Sequence, residues 1–382
     1  MPLSGVRVLD LSRLAPGPYA TRLLAEMGAE VVKVESPPGG DYTRWIPPLV
    51  GEPPQGTTFA ELNAGKRGIT LNLKDPIHVR VCAELARVAD VLVDGFRPGV
   101  LAKIGLDPQK LMQENPGLIY CALSGFGMTG PHAQRAGHDI GYLARAGVLG
   151  TSGTPESPMS LGVQMADIGG SMVAVSGITA ALYKREKTQK GSVVDVSLTE
   201  SAMAFNTINF GGAHGGHKFV RGQELLDGSR PCYGVYACKE GHLAVGALEP
   251  KFWNAFLEAI DLQELKDAGL DGGEAGQKAR MILQEKLQEK TRDEWMTVLE
   301  NVDCCVEPVY HLDEIDQDPQ HQHRKILTSA HTTRSPIRVS DWDSISANET
   351  PKLSKAPSLG CDQTAVLTEW GISEDLIRRI SP

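Results

Sequence analysis

The sequence predicts an α/β protein: a Rossmann-like large domain with a doubly wound parallel sheet, joined by a smaller α+β domain. Three observations carry that expectation. Short aliphatic and β-branched runs alternate with helical patterns over the first 200 residues, the signature of successive βαβ units. At 382 residues the chain is too long for one ordinary core. A glycine- and histidine-rich stretch of weak periodicity, residues 206–232, then separates these elements from a second group and reads as a linker.

Taken in order, VRVLDLS (6–12) reads as a buried strand, GPYATRLLAEMGA as a helix stopped by Gly28, and EVVKVES as a second strand. DPIHVRVCAELARVA is helical, VLVDGF (91–96) strand-like, and LIYCALSGFG a further strand starting near Leu118. From about residue 168 a long apolar helix follows, then GSVVDVSLTESAMAF gives a strand and another helix. Beyond the linker, CYGVYACK and HLAVGAL read as strands, followed by polar helices to about residue 300. SPIRVSDWD and KAPSLGCDQ look extended, and SEDLIRRI closes the chain as a short helix.

Composition narrows the function classes. A formal net charge of −9 argues against nucleic acid or an anionic membrane as partner, since both need clustered Lys and Arg. The N-terminal residues lack a cationic leader with an apolar core, and no run approaches eighteen uninterrupted apolar residues. The expected location is therefore the cytoplasm. Seven scattered cysteines, without CxxC or zinc-like spacing, predict reduced thiols and no metal. The first strand-to-helix turn, SRLAPGPYA, lacks the GxGxxG spacing that lets backbone approach a pyrophosphate, which disfavours NAD and FAD.

Three constellations can carry chemistry. In Gly137-His138-Asp139 an imidazole stands at the mouth of a helix, with a glycine that leaves room for a ligand. The plainer reading makes Asp139 the cap of a helix from Ile140 and His138 a satisfied polar residue. Asp167 stands just before the long apolar helix, where Gly169 and Gly170 give close access, or it is an ordinary N-cap. Glu249 lies between an apolar strand and a helix-opening proline, or is a solvated loop carboxylate.

Together, LDLSRLAPGPYATRLLAEMGAEVVKVE, NAGKRGITLNLKD, VLVDGFRPGV, YCALSGFG, AGHDIGYLARAGVL, ADIGG and AVGALEPKFW resemble the family III CoA-transferase superfamily, and within it most the α-methylacyl-CoA racemases. The resemblance runs from about residue 3 to about 310. It implies a large domain of residues 1–205, a linker at 206–232, a small domain at 233–320, and a segment 321–382 that returns to the large domain. It also implies an interlocked homodimer and an acyl-CoA thioester substrate, with coenzyme A as part of that substrate and no separate cofactor.

The resemblance further implies that His138 and Asp167 face opposite sides of the substrate α-carbon, with Glu249 as partner of the imidazole. Racemisation needs one group to remove the α-proton and another to return it, with an enolate between. Amides near 138–142 are expected to hold the enolate oxygen. Coenzyme A is expected around Leu71, Asn72, Leu73 and Lys74 and at Arg97, with Arg44 and Lys66 as further phosphate partners. Gly137, Asp139 and Tyr142 complete the expected set, and Met165 and Met203 could line an acyl surface.

Two positions depart from the racemase pattern. Ser36 stands after Glu35 where racemases carry an arginine, and Asp167 is followed by the short run Ile168-Gly169-Gly170-Ser171, closer to the transferase branch. The competing reading is a CoA-transferase in which Asp167 is a nucleophile that forms a mixed anhydride. A third is a catalytically silent CoA-binding scaffold.

Overall fold

The computed structural model describes residues 1–327, 332–346, 348 and 353–380. The chain divides into two compact units, one of residues 1–146, 163–204 and 319–382, the other of residues 147–162 and 205–318.

The first unit is built on six parallel strands: β1 Arg7–Asp10, β2 Glu30–Glu35, β3 Arg67–Thr70, β4 Val91–Asp94, β5 Ile119–Ser124 and β6 Ser192–Ser197. Their spatial order is β3-β2-β1-β4-β5-β6, and every neighbouring pair is parallel. This is the doubly wound Rossmann order. Between β1 and β4 the winding reverses, and loops from both halves diverge there to open a crevice at the strands' C-terminal ends.

Local chemistry explains the connections. Helix α1, Pro16–Glu26, starts on a proline whose missing N–H falls where a helix has no acceptor for it, and Gly28 ends it at φ 100°. Its first turn lies against the end of β1: a Cβ on Gly17 would stand 2.1 Å from that of Ser12. Close approach is thus achieved with one glycine and without the dinucleotide fingerprint. Helix α2, Pro76–Val88, is capped by Asp75, whose carboxylate accepts from the Ile77 amide.

The long helix α4, Met165–Thr188, starts a turn earlier than expected and packs on α1 and β5. By length and composition it could cross a membrane, yet half of its most apolar window is buried within the protein. Between β5 and α4 stands a short helix, α3, Asp139–Arg145.

The sheet's β3 edge is closed by the C-terminal segment. Asp362 accepts from the Gly68 amide at 2.8 Å, and the Gln363 side chain accepts from Thr70 N–H at 2.7 Å and donates to its carbonyl at 3.2 Å. Two side chains thereby occupy the hydrogen-bonding positions of a seventh strand. Trp370, Leu376 and Ile380 enter the same apolar core as Leu9, Val32, Ile69 and Leu92. The expected extended segments carry only the short helix Trp342–Ser346 among described residues, and parts of the returning segment (328–331, 347, 349–352, 381–382) lie outside them.

The second unit has a three-stranded antiparallel sheet, Tyr233–Ala237, His242–Gly246 and Val306–Pro308, with the middle strand central. Helices Pro250–Ala259, Gly273–Leu287 and Arg292–Leu299 cover it. Its core is rich in aromatics, and Trp253 and Trp295 donate their indole N–H to the carbonyls of Leu265 and Leu287. The boundaries differ from the expected ones. Residues 147–162 join this unit, and 206–232 is part of it rather than a linker, carrying helix Thr207–His214 and an Arg221 that donates to the Thr154 carbonyl at 2.6 Å.

Trp370, 2 % exposed, also donates to Glu30 at 3.1 Å. Trp370→Ala should cost about 3–5 kcal/mol in urea denaturation. A loss below about 1 kcal/mol would show that the tail does not complete this core.

Candidate active site

Loops at the C-terminal ends of the strands line two cavities in the first unit. The larger, about 650 Å³, is bounded by Arg13 after β1, Arg97 after β4, Ser124 and Gly125 at the end of β5, the loop 133–138, Tyr142 and Asp167. The smaller, about 330 Å³, is bounded by Ser36 after β2 and Leu71, Asn72, Leu73 and Lys74 after β3. Arg13 and Phe96 border both.

His138 is the N-cap residue of α3, in extended conformation, and its ring makes no bond to the helix it caps. Its carbonyl instead accepts from the amides of Gly141 and Tyr142. Those two amides are therefore committed, and of the amides expected to serve an enolate oxygen only those of residues 138–140 are left for the task.

Asp139 is the first residue of α3, and its carboxylate serves another helix. Oδ1 accepts from the amides of Ala166 and Asp167 at 2.8 and 3.0 Å, in the first turn of α4. These are amides an α-helix leaves without intrahelical partners. The bond ties the mouth of α3 to the mouth of α4 and so brings His138 and Asp167 to one cavity. Asp139 was expected to touch the ligand or to cap its own helix; the structure makes it a positioning residue.

Asp167 lies within the first turn of α4, not before it. Burial and the nearby Asp139 carboxylate push its carboxyl from 3.8 to about 6, while His138 pulls the other way. Tyr142 is buried, with its ring edge-on to Phe126 at 5.3 Å. The ring fills the space left by two glycines: a Cβ on Gly125 or Gly137 would stand 2.5 Å from it. Gly137 thus makes room for Tyr142 while bordering the larger cavity.

Two expected phosphate partners are withdrawn from the site. Arg44, 4 % exposed, is held in a two-pronged pair with Glu35 at 2.8 and 2.7 Å, donates to the Pro357 carbonyl and lies 3.7 Å over the Phe59 ring. Lys66, 3 % exposed, spends its three protons on Asp10, the Pro18 carbonyl and Asn63. Burial drives its ammonium well below the ordinary value, against the pull of Asp10. With Lys33 and Asp41, paired at 3.2 Å, these residues form a buried ionic floor beneath the crevice. Burial was not visible in the sequence, where a basic residue near a predicted loop reads as available.

Arg97 and Lys74 are exposed, as expected of residues that meet a ligand, whereas Leu71 is a core residue that borders its cavity. Met165 and Met203 do not border either cavity. Glu249, exposed, occupies the N-cap position of helix Pro250–Ala259 in the second unit, without a side-chain capping bond. Sequence reasoning missed Arg13 and Arg135. Arg135 stands three residues before His138, and that proximity was the one signal available. Among the described residues no cluster of His, Cys, Asp and Glu could hold a metal ion.

Comparison with known proteins gives a consistent picture. The model of CoA-transferase family III matches residues 3–363. Human α-methylacyl-CoA racemase is 33% identical over 391 residues, covering 100% of this chain and 96% of its own. Human succinyl-CoA:glutarate CoA-transferase is 33% identical over 347 residues, covering 88% and 78%. A solved CaiB/BaiF family protein from Brucella suis superposes with a TM-score of 0.84 at 29% identity, covering 97% of this chain and 99% of its own.

The raised Asp167 carboxyl has a stability signature. Its protonated form favours folding below about pH 4, and that contribution is lost as pH rises through about 6. Asp167→Asn should therefore exceed wild type in stability at pH 8, by about 1–2 kcal/mol, and lose that margin at pH 4. Denaturant titrations at the two pH values check the sign.

Proposed function

The chain belongs to CoA-transferase family III and is an enzyme of that family's transferase or racemase type, and from this premise we propose that it is an acyl-CoA racemase acting on 2-methylacyl-CoA thioesters. The observation that carries the proposal is the presence of His138 and Asp167 on one cavity, with the Asp167 carboxyl near neutrality. A carboxyl at about 6 can both accept and return a proton at physiological pH.

In one direction the Asp167 carboxylate takes the α-proton, the electron pair moves onto the thioester oxygen, and protonated His138 returns a proton to the opposite face. Asp167 ends protonated and His138 neutral, and the reverse direction restores both. The tight cap from Asp139 keeps the two groups in fixed relation, which proton transfer at a single carbon requires. Coenzyme A lies across both cavities, its phosphates against Arg97 and Lys74 with Arg13 at the junction.

A specific observation favours the second reading. The succinyl-CoA:glutarate transferase is as similar in identity as the racemase, although the racemase matches over more of the chain. In that reading Asp167 attacks the thioester carbonyl, the CoA thiolate leaves, and an aspartyl mixed anhydride forms.

Incubation with a single enantiomer of a 2-methylacyl-CoA in deuterated water separates the two. A racemase incorporates deuterium at the α-carbon and inverts it with no acid co-substrate. His138→Ala and Asp167→Ala should each abolish inversion, yet leave slow exchange into opposite enantiomers. A requirement for a second carboxylic acid, with His138→Ala fully active and Asp167→Ala dead, assigns the transferase instead. Independently, Arg97→Ala should weaken CoA binding about tenfold by calorimetry. Unchanged affinity would remove Arg97 from the phosphate site.

A further inference from the structure

We propose that Tyr142 is a catalytic residue whose hydroxyl donates a hydrogen bond to the thioester oxygen of the bound acyl-CoA. This rests on the reading of the larger cavity as an acyl-CoA site, and it is independent of which of the two reactions takes place there.

Three tyrosines are buried among the described residues, Tyr120, Tyr142 and Tyr236. A phenol taken out of water needs a hydrogen-bond partner. Tyr120 donates to Asp94, and Tyr236 donates to the Pro231 carbonyl at 2.6 Å. Tyr142 is the exception. It is only 7 % exposed, yet its hydroxyl has no hydrogen-bond partner among the described residues. The other side-chain hydroxyls on the same cavity differ from it: Ser124 Oγ is enclosed by protein and cannot reach a ligand, and Tyr42 is exposed, where water serves it.

The phenol oxygen is held in one place. The ring stands edge-on to Phe126, and a Cβ would lie 2.5 Å from the hydroxyl oxygen if built on Gly125 and 3.1 Å from it if built on Gly137. Both glycines border the larger cavity, as Tyr142 itself does, so the oxygen belongs to the wall that also carries His138 and Asp167. Burial first, and then the Asp167 and Asp139 carboxylates, push the phenol above its ordinary value, with Arg97 pulling the other way. Tyr142 therefore stays protonated at neutral pH. It can give a hydrogen bond without giving up its proton, close to the carboxyl at which either reaction begins.

Both reactions need such a donor at the same atom. When Asp167 removes the α-proton, the C–H electron pair moves through the carbonyl onto the thioester oxygen. When Asp167 attacks the carbonyl carbon, the C=O pair moves onto that oxygen and returns as the C–S bond breaks. A negative charge appears there in each case, and a donor fixed beforehand stabilises it more than it stabilises the substrate. The amides of Gly141 and Tyr142 are unavailable, since the His138 carbonyl takes both. The side chain of residue 142 supplies what its amide cannot.

Tyr142→Phe tests this, because it removes one oxygen and keeps the ring that fills the space beneath Gly125 and Gly137. The first readout is the infrared band of trimethylacetyl-CoA, isotope-labelled at its carbonyl and bound to Asp167→Asn protein. That probe has no α-proton, and the background has no carboxylate nucleophile, so neither reaction consumes it. Adding Tyr142→Phe should move the carbonyl band to higher wavenumber; an unmoved band overturns the proposal. The second readout is turnover, followed as deuterium incorporation or as CoA transfer. Tyr142→Phe should lower kcat about 100-fold and change KM by less than about threefold. A kcat within about threefold of wild type, or a loss confined to KM, also overturns the proposal. Failure of the probe to bind removes the acyl-CoA reading and this inference with it. If the probe binds and its band moves but no α-deuterium is incorporated, the racemase reading alone is lost.

Discussion

The site depends on one oxygen. Oδ1 of Asp139 receives two amides from the first turn of α4, and through them the mouths of two helices that are separate in sequence become one rigid edge. The same charge has a second effect. It adds to the burial that raises the Asp167 carboxyl it helps to position, so the same carboxylate bears on both the placement and the acidity of Asp167. An amide at this position could keep a hydrogen bond, but it would remove the repulsion and leave burial alone to raise Asp167.

Beneath that edge lies a different use of charge. Lys66 with Asp10, Lys33 with Asp41 and Arg44 with Glu35 are buried pairs that hold the loops after β1 and β2. Such pairs seldom add much net stability, since desolvation offsets their attraction, but losing one partner leaves a buried charge without compensation. Their role here is geometric. They fix the floor of the crevice at the C-terminal ends of the strands.

Much of this was legible in the sequence. The alternation of strand and helix patterns located five of the six strands of the large sheet and the helices α1 and α2, because parallel strands buried on both faces read as continuous aliphatic runs, while the four-residue strand Arg67–Thr70 went unread. The residues His138, Asp167, Arg97 and Lys74 were also named from sequence, and they border the two cavities. What escaped was whatever depends on partners distant in the chain. Arg44 and Lys66 look like any solvent-exposed base until Glu35 and Asp10 are seen to bury them. Asp139 looks like a cap for its own helix, and nothing local reveals that its acceptor geometry serves residues 166 and 167. Strand Val306–Pro308 is too short to show an alternation, and it is defined by pairing with residues 243–245.

The closure of the β3 edge by residues 362–380 also orders events in time. On the ribosome, residues 205–318 emerge as a complete set of partners for their own core, while the parent sheet still lacks Trp370, Leu376 and Ile380. The inserted unit can thus reach its native structure first, and the surrounding one cannot finish until the last helix is released. Contacts such as Glu30 with Trp370 span 340 residues, the kind of long-range closure that slows folding. During that interval β3 presents unpaired backbone, and the nascent chain is most exposed to aggregation along that strand.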